Sequence, residues 1–203
     1  MTPGLTFTID KSSVAIIIDQ DDIRPIGTAF IFIQPHWAVT AKHVVLREGI
    51  PRENLQLLLT SNLKFPAKVL YAHPSTDLAV LSVPDCPCKF PLFPAHHGFS
   101  GSDGLATAGY APSKTVGNSY SIVVNFVPSF SAERRERSEG YEDVVVFESN
   151  FTEGGHSGGP VFGSGGGVVG VMIEHSETGK SRATSLAPLL RHWHKRCERL
   201  AAF

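Results

Sequence analysis

The sequence predicts an all-β fold with two strand-rich halves and a C-terminal helix. Short runs of β-branched and other apolar residues recur between turn residues, a pattern typical of strands. The 19 glycines and 14 prolines among 203 residues favour many turns and short strands over long helices. Four prolines within residues 84–94 interrupt the strand pattern, because proline cannot donate to a β-ladder. We therefore expect an N-terminal half over residues 1–92 and a C-terminal half over residues 93–203.

Individual strands are predicted wherever an apolar run lies between two turn signals. Residues 131–140 carry mixed charges without apolar spacing, so we expect a solvated loop there. Residues 186–200 have apolar side chains at helical spacing, with basic residues between them, which predicts an amphipathic helix that docks on the protein. The predicted strands are residues 13–18, 26–33, 37–41, 55–60, 65–71, 78–81, 105–110, 120–127, 143–148 and 168–173.

The composition excludes several classes of protein. With 42% hydrophobic and 18% charged residues the chain is typical of a globular protein, and it has no apolar run long enough to span a bilayer. A formal net charge of −1 leaves no basic excess for a nucleic-acid partner. The first residues lack the pattern of a signal peptide, and three cysteines do not form a disulfide framework. We therefore expect a cytoplasmic protein that binds neither nucleic acid nor membrane.

The glycine-rich segment 153–161 (EGGHSGGPV) is the strongest candidate for a chemical role. Glycine accepts positive φ and has no Cβ, so the glycines around Ser157 let the backbone turn sharply. Such a turn exposes one hydroxyl and directs backbone N–H groups to one point, which stabilises the oxyanion of acyl transfer. The alternative for this segment taken alone is a simple glycine-rich β-turn. A nucleophilic serine would need a base and an orienting group from elsewhere in the chain.

His43 and Asp77 are the candidates for those two groups. His43 follows the apolar run 37–41, and Asp77 lies between a polar turn and another apolar run. Considered singly, His43 fits an ordinary edge histidine and Asp77 an ordinary turn residue. Together with Ser157 they supply a base, its orienting carboxylate and a nucleophile, the groups of serine hydrolysis. Two precede the proline-rich segment and one follows it, which predicts a cleft between the halves.

Two cysteines and two nearby histidines are candidate metal ligands. Cys86 and Cys88 lie in the proline-rich segment and are followed by His96 and His97, and zinc accepts both types of ligand. The Cys-x-Cys spacing is tight, however, and the remaining cysteine, Cys197, does not provide a matching second pair. We therefore expect neither a metal nor a cofactor.

Three segments resemble the signature blocks of the trypsin/chymotrypsin-like serine peptidases. They are residues 39–44 (VTAKHV), 77–81 (DLAVL) and 155–161 (GHSGGPV), and they occur in the order typical of that family. Within the family they are most similar to bacterial and intracellular members such as the high-temperature-requirement peptidases. The resemblance implies a chymotrypsin-like fold of two packed, six-stranded antiparallel β-barrels, covering about residues 12–190.

The resemblance also implies a role for each residue of the site. His43 would be the general base, Asp77 the carboxylate that orients it, and Ser157 the nucleophile. The backbone N–H groups of Gly155 and Ser157 would form the oxyanion hole. Glu174 and His175 could contact substrate, and they equally fit the rim of the pocket. The expected substrate contacts are Thr152, Glu153, Glu174 and His175.

His156 departs from the secreted members of the family, many of which carry an aspartate directly before the nucleophile. Two roles remain open for it: a local hydrogen bond that holds the loop in place, or a gate whose charge selects between a formed and a collapsed oxyanion hole. We expect a serine endopeptidase that cleaves polypeptides through an acyl-enzyme. The alternatives are a peptidase-fold binding module with an unformed hole, and an effector domain that a protein partner activates.

Overall fold

Strands dominate the part of the chain that the structure describes. One closed six-stranded barrel occupies the first half, and a seven-stranded sheet occupies the second. The predicted all-β fold class is confirmed, although the second sheet has seven strands where six are expected. The structure, a computed structural model, describes residues 9, 11–60, 62–95, 104–112, 120–127, 132–136, 143–148, 154–163, 165–175 and 180–192.

The first-half barrel is antiparallel throughout and follows the predicted apolar runs. Its strands are hydrogen-bonded in the order β1-β2-β3-β8-β7-β6, and β6 closes the barrel by pairing with β1. A 3-10 turn (Lys11–Ser13) precedes β1, and a single helical turn, α1 (Lys42–Val45), follows β3. The strands are β1 (Val14–Asp19), β2 (Arg24–Ile31), β3 (Trp37–Thr40), the short hairpin β4 (Leu46–Arg47) and β5 (Ile50–Pro51), β6 (Leu55–Leu59), β7 (Lys64–Ala72) and β8 (Ala79–Ser82).

Strand β1 is buried on both faces, which explains its continuous apolar sequence. Successive side chains of a strand point to opposite faces. Ala15 and Ile17 accordingly belong to the cluster inside the barrel, whereas Val14 and Ile16 belong to a second cluster that includes Phe162 of the other sheet. The barrel and the second sheet therefore share one apolar core, and the elements that border it are held in a fixed relation.

The second sheet contains three strands that the sequence analysis did not predict, namely β11 (Ala132–Glu136), β13 (Pro160–Phe162) and β15 (Lys180–Ser185). Residues 131–140 were expected to form a solvated loop, but β11 lies within them and pairs with β12 over five positions. The last strand, β15, has a polar sequence and pairs with both β12 and β14. The sheet order is β10-β9-β13-β14-β15-β12-β11. The strands are β9 (Leu105–Tyr110), β10 (Ile122–Val127), β11 (Ala132–Glu136), β12 (Asp143–Glu148), β13 (Pro160–Phe162), β14 (Val168–His175) and β15 (Lys180–Ser185).

The proline-rich segment runs between the two sheets and bonds to both. Leu92 donates its N–H to the carbonyl oxygen of Ile31 at 2.9 Å and accepts from the N–H of Ile33 at 2.8 Å. Ala95 donates to the carbonyl oxygen of Val168 in β14 at 3.0 Å. The segment therefore connects the sheets without forming a strand of either one. A boundary between residues 92 and 93 stays a prediction.

The first part of the predicted C-terminal helix is present in the structure. Residues 187–192 are helical, and Leu186 and Leu189 are buried in the shared core, as the apolar spacing predicts. The rest of the predicted helix, with Trp193 and Leu200, lies outside the described residues. In the part of the chain that is described, no helix has the length and apolar character needed to cross a membrane.

Candidate active site

His43 lies at the start of α1, directly after β3. The backbone N–H groups in the first turn of a helix have no partner within the helix. Asp77 supplies two of the missing acceptors. Its Oδ1 accepts from the His43 N–H at 2.8 Å, and its carbonyl oxygen accepts from the Lys42 N–H at 3.2 Å. The turn before β8 therefore holds α1, and His43 with it, in a fixed position.

The side chains of His43 and Asp77 also pair. Nδ1 of His43 lies 2.6 Å from Oδ2 of Asp77. This contact fixes the ring orientation and favours a proton on Nδ1, so that Nε2 becomes the acceptor. The His43 side chain is 47% exposed and that of Asp77 26%, so the base faces solvent while the carboxylate is more shielded.

The electrostatics of the pair keep Asp77 ionised. Burial by itself raises the pKa of the Asp77 carboxyl. The hydrogen bonds from the His43 side chain and backbone, together with the charges of His43 and Lys42, outweigh burial and bring that pKa below its usual value. Asp77 is therefore an anion at neutral pH, the form that stabilises a protonated imidazole.

Ser157 lies in a tight turn, residues 154–159, which we call the serine turn. Gly155 has a φ of 104° and Gly158 a φ of 87°, conformations that favour glycine. A Cβ on Gly158 would come within 2.1 Å of both the Thr28 carbonyl oxygen and Thr40 Oγ1. The serine turn is thus pressed directly against the barrel, and only a residue without a side chain fits at that contact.

Strand β2 holds the serine turn through Thr28, which is fully buried. The Thr28 N–H donates to the Ser157 carbonyl oxygen at 2.8 Å, and Thr28 Oγ1 donates to the Gly155 carbonyl oxygen at 2.7 Å. The same Oγ1 accepts from the Tyr110 N–H at 2.8 Å, and the Thr28 carbonyl oxygen accepts from Thr40 Oγ1 at 2.7 Å. One residue thereby connects the serine turn, β9 and β3.

Sequence reasoning missed Thr28 and Thr40. Both hydroxyls bond to groups that are distant along the chain or on another strand, so neither partner can be read from local sequence. A weak signal was present, because Thr28 is the polar residue of the apolar run 26–33 (IGTAFIFI). A hydroxyl inside such a run needs a partner when it is buried.

The serine turn lies beside the segment that carries His43. A Cβ on Gly27 would come within 2.7 Å of Val44 Cγ1 and within 3.0 Å of a carbonyl oxygen of the serine turn. A Cβ on Gly158 would lie 3.1 Å from the backbone nitrogen of Ala41. Ala41 and Val44 flank His43 in the sequence. The structure therefore brings the predicted nucleophile and the predicted base to the same end of the barrel.

The N–H groups of Gly155 and Ser157 are the predicted donors of the oxyanion hole. Within the described residues, neither group donates a hydrogen bond to another part of the protein. The next N–H along the chain, that of Gly158, instead donates to the Met172 carbonyl oxygen at 2.7 Å. Strand β14 thus anchors one side of the serine turn.

The His156 side chain extends into the second sheet. It is only 1% exposed, and its Nε2 lies 3.4 Å from Nδ2 of Asn125 on β10. A Cβ on Gly109 of β9 would come within 2.8 Å of the His156 ring and Cα, so glycine makes room for the imidazole there. The ring is packed inside the protein, a placement that favours the structural role over the gate.

The predicted substrate contacts are less well defined. Thr152 and Glu153 lie outside the described residues. Glu174 and His175 are the last two residues of β14 and pair with β15. Contacts between substrate and any of these four residues stay predictions.

Cys86 and Cys88 are not joined in a disulfide, and their side chains are hydrogen-bonded to each other. A hydrogen bond with the Cys88 side chain and burial raise the pKa of the Cys86 thiol above its usual value. Among the residues described, no group of three or more His, Cys, Asp and Glu side chains could hold a metal ion. His96, His97 and Cys197 lie outside that part of the chain.

Comparison with known proteins connects this geometry to a family. Residues 27–171 match the family model of the trypsin-like peptidase domain. The chain belongs to that family. It is 30% identical over 155 residues to a probable periplasmic serine endoprotease, DegP-like, of Chlamydia trachomatis, and 30% identical over 148 residues to a protein of the same description from Chlamydia pneumoniae. The predicted class of trypsin-like serine protease is confirmed.

These relatives are much longer than the matched region. The matches cover 75% and 71% of the chain but 28% of each relative, so the chain spans about a quarter of their length. Both relatives are described as periplasmic. The cytoplasmic location expected for this chain stays a prediction.

Solved structures show the same fold. The active form of the Rv3671c protease from M. tuberculosis superposes with a TM-score of 0.68 at 22% identity, over 89% of this chain and 78% of that one. A serine endoprotease from Yersinia pestis gives 0.69 at 18% identity, over 91% and 62%. The HtrA-type protease AlgW with a tripeptide gives 0.64 at 18% identity, over 89% and 58%. The chymotrypsin-like fold and the resemblance to high-temperature-requirement peptidases are confirmed.

Proposed function

We propose that this chain is a serine endopeptidase that hydrolyses peptide bonds with His43, Asp77 and Ser157. The observation that carries the proposal is the double contact of Asp77 with the backbone and ring of His43. It occurs at the end of the barrel where Thr28 holds the serine turn. A carboxylate that is bound to both groups orients a base, and the adjacent glycine turn presents a hydroxyl to it.

The reaction divides peptide hydrolysis into two similar steps. Ser157 Oγ attacks the scissile carbonyl carbon, and Nε2 of His43 takes the hydroxyl proton. The carbonyl oxygen becomes an oxyanion that accepts hydrogen bonds from the N–H groups of Gly155 and Ser157. The C–N bond then breaks, His43 protonates the leaving amine, and an ester links the acyl group to Ser157. Water repeats the sequence and releases the second product.

Asp77 contributes through the charge and orientation of His43. Its carboxylate accepts a hydrogen bond from Nδ1–H, which leaves Nε2 free to take the serine proton, and it offsets the positive charge that His43 acquires during each step. The factors that lower the Asp77 pKa ensure that this charge is present at neutral pH. None of these groups requires a metal or an organic cofactor for its role.

The substrate of this site is a polypeptide, as the DegP-like description of the relatives suggests. Thr152, Glu153, Glu174 and His175 are proposed to contact it. We further propose that residues 1–92 and 93–203 act as one peptidase unit, because His43 and Asp77 come from the first and Ser157 from the second. An activating protein partner remains an alternative way of completing the site.

Labelling with a fluorophosphonate probe tests the proposal, because only an activated serine reacts. The parent protein should label in a time-dependent manner and cleave an unfolded polypeptide substrate. Ser157→Ala should lose both activities, with turnover reduced on the order of 10⁴-fold or more. The chelator EDTA should leave both unchanged.

Ser82→Ala is the matched control, since it removes a half-buried hydroxyl from β8 without touching the serine turn. It should label like the parent. A folded parent that does not label would contradict the proposal and favour the binding module. Labelling that appears only after a protein partner is added would favour the activated effector domain.

A further inference from the structure

The turn that carries Asp77 is built around the side chain of His73. Nδ1 of His73 accepts a hydrogen bond from the N–H of Thr76 at 3.1 Å, and the N–H of Ser75 lies 3.4 Å from the same atom. The His73 N–H donates to the carbonyl oxygen of Leu78 at 2.9 Å and closes the turn. The imidazole therefore serves as an internal acceptor, and Asp77 is one of the residues held between these bonds.

These contacts define the protonation state of the His73 ring. An imidazole nitrogen accepts a hydrogen bond only when it carries no proton, so the ring is neutral with its proton on Nε2. Burial lowers the pKa of His73 below its usual 6.5, and the charges of His192, Lys42 and Arg191 lower it further. Geometry and charge thus favour the same neutral form.

The surroundings of His73 come from three other elements. From β7, the Tyr71 ring meets the His73 ring edge-on, with centroids 6.1 Å apart. From α1, Lys42 Nζ donates to the His73 carbonyl oxygen at 2.9 Å. From the C-terminal helix, the His192 ring stacks on Tyr71 at 4.3 Å, and Arg191 adds a positive charge. Burial raises the pKa of the Tyr71 hydroxyl above its usual 10.0, so Tyr71 adds no charge beside His73 near neutral pH.

We propose that His73 is a positioning residue whose neutral imidazole holds the turn that directs Asp77 toward His43. Its protonation removes the acceptor and loosens the Asp77–His43 pair. The inference rests on the proposed function, because the orientation of Asp77 affects turnover only if His43 acts as the base. His73 itself contacts neither the substrate nor the reacting atoms.

The direction of the pH effect follows from the geometry. Above pH 6.5 the ring is neutral and the bond from Thr76 is intact. As the pH falls through the lowered pKa of His73 in the folded state, Nδ1 gains a proton. Nδ1 is then a donor like the N–H groups of Ser75 and Thr76 that face it, and it no longer accepts a hydrogen bond from either. The negative charge of Asp77 lies in the same turn, and the other nearby charges are positive and oppose this protonation. Because the proposed reaction also needs His43 as its base, activity alone cannot separate the two histidines.

Substitutions at position 73 separate the acceptor from the imidazole. His73→Ala removes the acceptor, and we expect kcat to fall on the order of tenfold to a hundredfold with KM little changed. His73→Asn places a side-chain oxygen that accepts N–H groups further along a turn and does not titrate, so it should restore most of kcat. His36→Asn removes an exposed histidine elsewhere on the barrel and is the matched control.

Proton NMR of the His43 Nδ1 hydrogen, measured in a Ser157→Ala background, reports the Asp77–His43 pair directly. With His73 present, this resonance should weaken as the pH falls through the range where His73 is protonated. With His73→Asn it should persist to lower pH, whereas His36→Asn should follow the parent. A residue that only packed the turn would not make this resonance depend on its own protonation.

The outcomes of these measurements are distinct. Parental kcat in His73→Ala, or the same pH dependence of the resonance with and without His73, would overturn the inference. If His73→Ala does not fold, the comparison of His73→Asn with the parent still decides it. If the parent does not react with fluorophosphonate, the proposed function fails, while the NMR comparison continues to test whether His73 positions Asp77.

Discussion

Replacing Thr28 by valine removes the hydroxyl that connects the serine turn to the second sheet. Valine keeps the branched shape of threonine, so the change acts mainly on hydrogen bonding. Two backbone groups lose the hydrogen bond that this hydroxyl makes with them: the carbonyl oxygen of Gly155 and the N–H of Tyr110. The N–H of Thr28 still donates to Ser157, so the serine turn keeps one of its two bonds to β2.

The loss of stability can be worked out from these two groups. Losing the hydrogen bond of a buried polar group costs up to about 1–3 kcal/mol, so two lost bonds give an upper range of about 2–6 kcal/mol. Gly155 is only half-buried and water can replace part of its bond, whereas Tyr110 is buried. We therefore expect the free energy of unfolding to fall by about 2–4 kcal/mol.

The same change should slow the reaction at Ser157. Gly155 supplies one of the proposed oxyanion donors, and its carbonyl oxygen is released from β2 in Thr28→Val. We expect labelling by fluorophosphonate to slow roughly tenfold to a hundredfold, less than the loss that follows outright removal of an oxyanion donor. The labelling rate and the urea-unfolding free energy are measured on the same preparations.

Thr107→Val on β9 is the matched control. Thr107 is as fully buried as Thr28, but its hydroxyl has no hydrogen-bond partner among the described residues. This substitution should leave stability unchanged or raise it, because it replaces an unpaired buried hydroxyl by a methyl group. Equal stability and equal labelling rates for Thr28→Val and Thr107→Val would refute the role assigned to the Thr28 hydroxyl.

Three further predictions concern Asp77, which pairs with the base, and His156, which precedes the nucleophile. Asp77→Asn should lower turnover at neutral pH on the order of 10⁴-fold, because an amide favours the wrong His43 tautomer; near-parental rates would make Asp77 only a turn residue. Since the pKa of Asp77 is lower in the folded state, its stabilising contribution is present above pH 3.8 and is lost as the pH falls through that lower pKa. Urea unfolding in acid should therefore show a smaller pH dependence for Asp77→Asn than for the parent. His156→Asn should retain turnover within about tenfold of the parent from about pH 5.5 to 8.5 if the ring is structural, and inactivity across that range would favour the gate.

Much of the fold follows from local sequence pattern. Strands such as β1 and β9 are buried along their whole length, so their apolar runs are visible without knowledge of the neighbours. The serine turn is equally evident, because positive φ at Gly155 and Gly158 restricts the residue type. The three segments that resemble peptidase blocks added the order of the site residues, and the family match confirms that resemblance.

Other strands depend on their partners more than on their own sequence. Strand β11 carries glutamates and arginines and was expected to be a loop, yet its backbone pairs with β12 at five positions. Strand β15 is polar, and its backbone is bonded to strands on both sides. In such cases the backbone hydrogen bonds form because an adjacent strand has an unpaired edge. The strand's own sequence pattern does not reveal that neighbour.

The sequence by itself determined which residues could react, namely a serine in a glycine turn, a histidine after a strand and an aspartate after a turn. Only the tertiary structure decided what holds them in place. Thr28 and Gly155 are 127 positions apart, and their hydrogen bond exists only because the barrel packs on the second sheet. His73, by sequence an ordinary residue before Pro74, becomes an acceptor in the Asp77 turn, with the C-terminal helix beside it. Hydrogen bonds and charges act over a few ångströms in space, so their partners are fixed by folding and not by proximity along the chain.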